Sequence, residues 1–279
     1  MRLPIPIFHN DNIYTDAEIK KPKASVLANV SSSIQSERIN AGLLIFLKGS
    51  VVSISNDDQT IEDPIKIKSI LTKIPYRTAE YLSIQTMIKQ YNGQDGVEGI
   101  YPCPLCGHKI ICQLQYVDDI EIDTRDFISQ LKVNCQNESE YHNFFSIELA
   151  EPVIIKNARD GTAIEEVFNL EMYYPTMEHC MNAEIKTGHK NDLKLQFGIY
   201  ANALKSINGQ DVDKKYINMV GTAIFENIEN LENDFKEISY KNSLYGIDTR
   251  VEKQCPECSK VWQPKVNTSN FFASALRLN

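Results

Sequence analysis

Two short motifs constrain this chain more than anything else in it: Cys103-Pro104-Leu105-Cys106 and Cys255-Pro256-Glu257-Cys258. Each presents two thiols across one tight turn, the spacing of a zinc knuckle. Proline after the first cysteine stiffens the turn, and glycine after the second tolerates the positive φ that such turns often need. The first motif has that glycine, Gly107, followed by His108; the second has Ser259 in its place. Four thiolates around one Zn²⁺ make a closed tetrahedral site with Zn–S near about 2.3 Å. Such a site has no open position for water, so its metal is structural.

The separation of the motifs is unusual, because 148 residues lie between Cys106 and Cys255. Several arrangements are open on sequence alone. One zinc shared by Cys103, Cys106, Cys255 and Cys258 is the expected one. Cys103 and Cys106 could instead join Cys135 and His142, leaving the second pair elsewhere. A redox or disulfide role, or cysteines without metal, complete the alternatives. The remaining candidates have plainer readings. Cys112 falls on the apolar face of a strand, His179 and Cys180 on a helix without a partner at metal spacing, and His9 and His189 have no context. His108 reads as exposed, and Trp262, the only tryptophan, as packing over the site.

Seven cysteines, an odd number, argue against a disulfide framework. The first ten residues lack the charged start and apolar core of a secretion signal. The longest apolar run, Ala41 to Leu47, is far short of the ~20 residues a membrane helix needs. These features point to the cytosol and away from membranes. A net charge of −8 leaves no excess of Lys and Arg to displace counterions from phosphates, which disfavours nucleic acid as a partner. Lys109, Lys253, Lys260 and Lys265 near the knuckles keep a nucleic-acid-binding zinc ribbon as the alternative function. G-x-S-x-G, H-E-x-x-H, P-loop and G-x-G-x-x-G motifs are all missing, so a non-enzymatic role is expected. The acidic stretch Asp118, Asp119, Glu121 and Asp123 does not have EF-hand spacing and reads as a solvated turn.

Along the chain, residues 1–20 read as irregular and polar, with 1–15 a flexible N-terminal arm. A helix is expected over about 37–48, a loop over 53–60, and an N-cap with proline at the first helical position at Asp63-Pro64. Helices follow over roughly 64–73 and 77–90, broken at Pro75. In the second, Tyr81, Ile84 and Ile88 share a face, with Leu82 beside them. A turn covers 91–96, and alternation of Ile110, Cys112, Leu114 and Tyr116 predicts a strand after the first knuckle. Further strands are expected near 144–149, 152–156 and 168–174. A helix should follow Pro175-Thr176 and end before Gly188, 193–240 should be mostly helical with a break near Gly209, and 250–253 should return to strand. A last helix is expected over 271–278. Each knuckle thus follows a helix by about a dozen residues and precedes an apolar strand. The fold class is α+β: helical regions plus β-hairpins, with two C-P-x-C knuckles converging into one zinc-ribbon-like site. Residues 16–279 form one domain of two halves, 16–150 and 151–279, joined by that site. A structural zinc contributes roughly 10–16 kcal/mol of apparent binding energy, more than the slowly growing cost of closing so long a loop.

The order of these features resembles the baseplate hub assembly proteins of contractile-tailed, T-even-type phages and related injection systems, in particular their larger zinc-knuckle members. The likeness covers most of the chain. It is carried by a helical N-terminal region, the stretch Ile70 to Gln85, a C-P-x-C-G knuckle, and the strand Lys109 to Leu114. Tyr174-Pro175-Thr176 leading into helices, and a second C-P-x-C knuckle with a nearby tryptophan and short terminal segment, Cys255 to Leu278, complete it. Ser259 and the polar N-terminal stretch are departures. The resemblance implies a non-enzymatic protein that acts as an assembly chaperone or minor baseplate component. Its partners would be tail or hub proteins, its location the host cytoplasm or the virion tail, and its only cofactor a structural Zn²⁺.

Overall fold

The computed structural model describes residues 1–36, 38–91, 97–114, 133–156, 160–187, 192–228, 231–248 and 253–263. Its architecture is α+β, with eight helices and five antiparallel sheets among the described residues. The first sheet has the order β1 (Arg2–His9), β2 (Asn12–Ile19), β3 (Val51–Ser55) and β4 (Thr60–Ile61). Helices α1 (Ala24–Gln35) and α2 (Ile39–Ser50) are inserted between β2 and β3. Helices α3 (Pro64–Ile70) and α4 (Tyr76–Tyr91) follow, with a 3₁₀ turn over Leu71–Lys73 between them. The Asp63 cap is as expected: its carboxylate accepts from the Ile65 N–H at 2.8 Å, and Pro64 opens the helix.

The expected flexible arm over 1–15 is instead a buried hairpin. Leu3, Ile5 and Ile7 are almost wholly buried, and Asn10 and Asp11 both have positive φ, so a two-residue turn joins β1 to β2. Pro4 and Pro6 have no N–H, and the β1–β2 register shifts between Arg2 and Ile7. The backbone of Ile5 finds its partner elsewhere: its N–H and its carbonyl both bond the Thr78 hydroxyl of α4, at 3.2 and 2.7 Å. The loop expected over 53–60 is also corrected, since β3 and β4 pair there around a turn held by the Asn56 side chain.

The first core gathers Leu3 and Ile7 of β1 with Leu43, Phe46 and Leu47 of α2 and Leu82, Ile84, Met87 and Ile88 of α4. Helix α2 is apolar nearly all round because α1 lies on one side of it and α4 on the other. Two hydroxyls buried in α4 are satisfied along the helix: Ser83 donates to the Glu80 carbonyl and Thr86 to that of Leu82.

The second sheet has the order β11 (Gln210–Asp211), β10 (Leu204–Ile207), β9 (Ala163–Tyr173) and β8 (Phe144–Lys156). Helices α6 (Asp192–Asn202), α7 (Ile217–Glu226) and α8 (Leu231–Asn242) bring Tyr200, Phe225 and Ile238 onto its inner face, against Ile147, Val167, Leu170 and Met172. The break expected near Gly209 within the helical stretch 193–240 is a hairpin, β10–β11, turning at Asn208-Gly209 with positive φ at both. Strand β8 continues past position 150, so the second core does not begin at the expected division between the halves.

Helix α5 (Met177–Thr187) joins the two cores. Tyr76 N–H donates to the Pro175 carbonyl at 2.7 Å and Met177 N–H to that of Ile74 at 3.0 Å. At its other end the buried Glu184 carboxylate accepts from the N–H groups of Asn40 and Ala41, at 3.0 and 3.3 Å, and so caps α2 across the fold.

Candidate metal centre

Each knuckle sits at the tip of a hairpin. In the first, β5 (Val97–Pro102) pairs with β6 (Lys109–Leu114), and Pro102 lies opposite Lys109. In the second, β13 (Lys253–Gln254) pairs with β14 (Val261–Trp262), and Gln254 lies opposite Val261. The two turns have one geometry. Cys103 N–H donates to the His108 carbonyl at 2.8 Å, and Cys255 N–H to that of Lys260 at 2.9 Å. Gly107 and Ser259 N–H groups donate back to the carbonyls of Cys103 and Cys255, both at 2.9 Å. Gly107 has φ +73° and Ser259 φ +57°, so the serine adopts the conformation that favours glycine.

The four sulfurs converge. Cys103 Sγ lies 3.6 Å from Cys258 Sγ, and Cys106 Sγ lies 3.5 Å from Cys255 Sγ. All four lie within 4.8 Å of one another. A tetrahedron of ligands about 2.3 Å from a zinc has edges of about 3.8 Å. The first cysteine of each knuckle meets the second of the other, a reciprocal pattern. The buried Cys103 and Cys255 face inward while Cys106 is exposed and Cys258 intermediate.

Helix α4 leads into β5. The strand that precedes the second knuckle, β12 (Gly246–Ile247), pairs with β7 (Val133–Asn134) and rests on the same helix. Arg77 of α4 donates to the Ile247 carbonyl at 2.9 Å. Gly246 has φ +104°, and a Cβ there would stand 3.0 Å from the Arg77 Cβ, so only glycine lets β12 lie this close.

The local electrostatics suit a cation. Burial opposes ionisation of Cys103, but the N–H groups of Cys106 and Leu105 and the thiols of Cys258 and Cys106 hold its pKa down to about 6. The His108 N–H favours the Cys106 thiolate, yet desolvation and the sulfurs of Cys255 and Cys103 raise that thiol overall. Cys258 is likewise favoured by the Lys260 N–H, but desolvation and the other three sulfurs push it up to about 12. One sulfur ionises readily and its neighbours then resist; a divalent cation removes that repulsion. The residues thus fit a tetrahedral thiolate-bound metal.

The alternative ligand set is not assembled. Among the described residues the metal-capable group is Cys103, Cys106, Cys255 and Cys258 alone. Cys135 is exposed and lies outside it, and desolvation raises its thiol. His142 belongs to an aromatic cluster, with Nε2 at 3.3 Å from the Tyr174 hydroxyl and its ring beside Tyr245. Cys180 is buried in α5. His179 is largely buried there too, its Nδ1 accepting from the Thr176 N–H at 3.3 Å. His108 is half-buried rather than exposed, and Trp262 is half-buried on β14 opposite Lys253. The side chain of Cys112, the acidic stretch from Asp118, Lys265 and the helix expected over 271–278 lie outside the described residues. Among the described residues no helix is long and apolar enough to cross a membrane.

Comparison with protein-family models, with curated proteins and with solved structures finds no match for this chain.

Proposed function

We propose that the four cysteines hold one structural Zn²⁺, and that the protein is a non-enzymatic hub assembly factor or minor baseplate component of a contractile tail, working through protein–protein contacts. The observation that carries the metal is the reciprocal convergence of the two knuckles, at 3.5 and 3.6 Å between sulfurs. Soft thiolates in a tetrahedral set select zinc or iron among common metals, and four of them leave no vacancy for a reacting water. Zinc is preferred as a redox-inert clamp that ties the ends of a long insertion together. His108 and Lys260 serve the ligands through their N–H groups and take no coordination place.

The tail reading rests on the resemblance. The two internal stretches that carry the likeness, Ile70 to Gln85 and Tyr174 to Thr176, lie against each other through the Tyr76–Pro175 and Met177–Ile74 bonds. A nucleic-acid ribbon finds less support, since Lys253 is buried and the exposed cations described at the knuckles reduce to Lys109 and Lys260. The test is disruption of the gene in the genome that carries it. The reading expects neighbouring tail genes and particles that lack baseplates by electron microscopy. Complete, infective particles from the null allele, or sequence-selective DNA binding by the purified chain, would overturn it.

A further inference from the structure

We infer that the outer face of the β8–β9 hairpin is a docking surface for a segment of another protein that carries apolar side chains flanked by Lys or Arg. The inference deepens the reading of the chain as a protein-binding scaffold and is independent of the metal. Strands alternate their side chains, so Val153 and Val167, paired and buried, fix which face is inward. Ile154, paired with Glu166, then points outward; Phe168 lies two residues from Glu166, and Ile164 is the unpaired residue of a second register shift, between the Ile155–Glu165 and Lys156–Ala163 pairs. These three are exposed by 42%, 65% and 46%, an apolar group that a solvated sheet face does not need.

The backbone is built to present Phe168. The β8–β9 register is broken between Glu148 and Val153, opposite Phe168. Asn208, itself at φ +47°, accepts from the N–H groups of Phe168 and Asn169 at 2.9 and 3.2 Å and donates to the Glu166 carbonyl at 2.7 Å. On the other strand the buried Asp234 accepts from the Ala150 N–H at 2.8 Å. Irregularities held from both sides commonly re-aim a side chain. The same break, with Pro152, interrupts the free edge of β8, so a partner meets side chains on the face rather than adding a strand at the edge.

Charge selects the partner. Glu148 and Glu166 flank Phe168 on the outer face, and among the described residues neither makes an ion pair. Two copies of this chain meeting there would set these carboxylates against their own kind, which disfavours self-association through this face. A basic, apolar segment satisfies both the acids and the exposed rings and branches.

The test uses the full chain and two synthetic peptides, one alternating Lys with Ile and Phe, the other with Glu in place of each Lys. The Lys peptide should bind saturably, about tenfold or more tighter than the Glu peptide, with protection from hydrogen exchange confined to 144–156 and 163–173. Ile164→Ser with Phe168→Ser should abolish that binding, and Glu148→Lys with Glu166→Lys should reverse the peptide preference; all four positions are exposed, so the melting temperature should hold. Equal affinity for both peptides, protection elsewhere, indifference to these changes, or a dimer that Ile164→Ser dissolves would each overturn the proposal. Failure here would leave the tail reading standing, since hub proteins could engage another face. A null allele that still builds baseplates would sink the tail reading and leave this surface intact.

Discussion

Replacing Glu184 with alanine removes the cap that α5 places on α2. Arg38 precedes α2 and makes no side-chain cap bond, so the helix start depends on a residue far away in sequence. Two N–H groups lose a carboxylate, one at 3.0 Å and one at a longer 3.3 Å. A bond to a charged group contributes about 1.5–3 kcal/mol, the longer one less, and the helix dipole adds about 0.3–1. Relief of the buried charge offsets part of this, which leaves a loss of about 2–3 kcal/mol for Glu184→Ala. Glu184→Gln keeps an oxygen but no charge and should lose about 1 kcal/mol. Urea unfolding of the metal-loaded protein should show a lower midpoint at unchanged slope, and the melting temperature should fall by about 5–10 °C for alanine. Hydrogen exchange should quicken at Asn40 and Ala41 before the rest of α2. A change within about 0.5 kcal/mol for alanine, or glutamine no worse than the native residue, would refute the reasoning.

The positive φ shared by the knuckles gives opposite predictions for one exchange. A Cβ at Gly107 would meet nothing within 4 Å, so Gly107→Ser should cost about 1 kcal/mol through the backbone alone, while Ser259→Gly should be neutral or stabilising by up to about 1; equal and same-signed shifts in melting temperature would contradict this. Burial pushes His179 down to about 4, below the ~6.5 of an unfolded histidine, so stability is full above pH ~6.5 and falls as pH drops toward ~4. Between pH 7 and 5 the native protein should lose about 1–2 kcal/mol more than His179→Gln in urea titrations, and parallel losses would remove this histidine from the account. Cys103→Ser and Cys258→Ser, whose sulfurs lie 3.6 Å apart, should each lower the melting temperature sharply and together add little; additive losses would mean that the knuckles act separately.

What the sequence reveals of this molecule follows the range of the interactions. The Asp63-Pro64 start of α3, the break at Pro75 and the strand after Cys106 depend on neighbours a few residues away, and the pattern shows them. The four cysteines are legible for the same reason, since C-P-x-C encodes a whole turn. The hairpin β1–β2 is harder: Pro4 and Pro6 speak against a strand, and what rescues the backbone between them is the Thr78 hydroxyl of α4. That Asn10-Asp11 and Asn208-Gly209 are hairpin turns could have been seen, because both pairs favour the positive φ they adopt. Convergence of the knuckles has no local signal, since 148 residues separate Cys106 from Cys255. Capping of α2 by Glu184 is invisible for the same reason.

The central claim is that two distant knuckles make one metal site, and its most direct test is the metal content of the chain purified without chelator. Native mass spectrometry with elemental analysis should find one zinc per chain. Cys103→Ser and Cys255→Ser should each sharply lower it, because either change leaves three sulfurs where the closed site needs four. Two zincs per chain, one zinc that survives loss of either knuckle, an iron–thiolate absorption in place of zinc, or no metal at all would contradict the account.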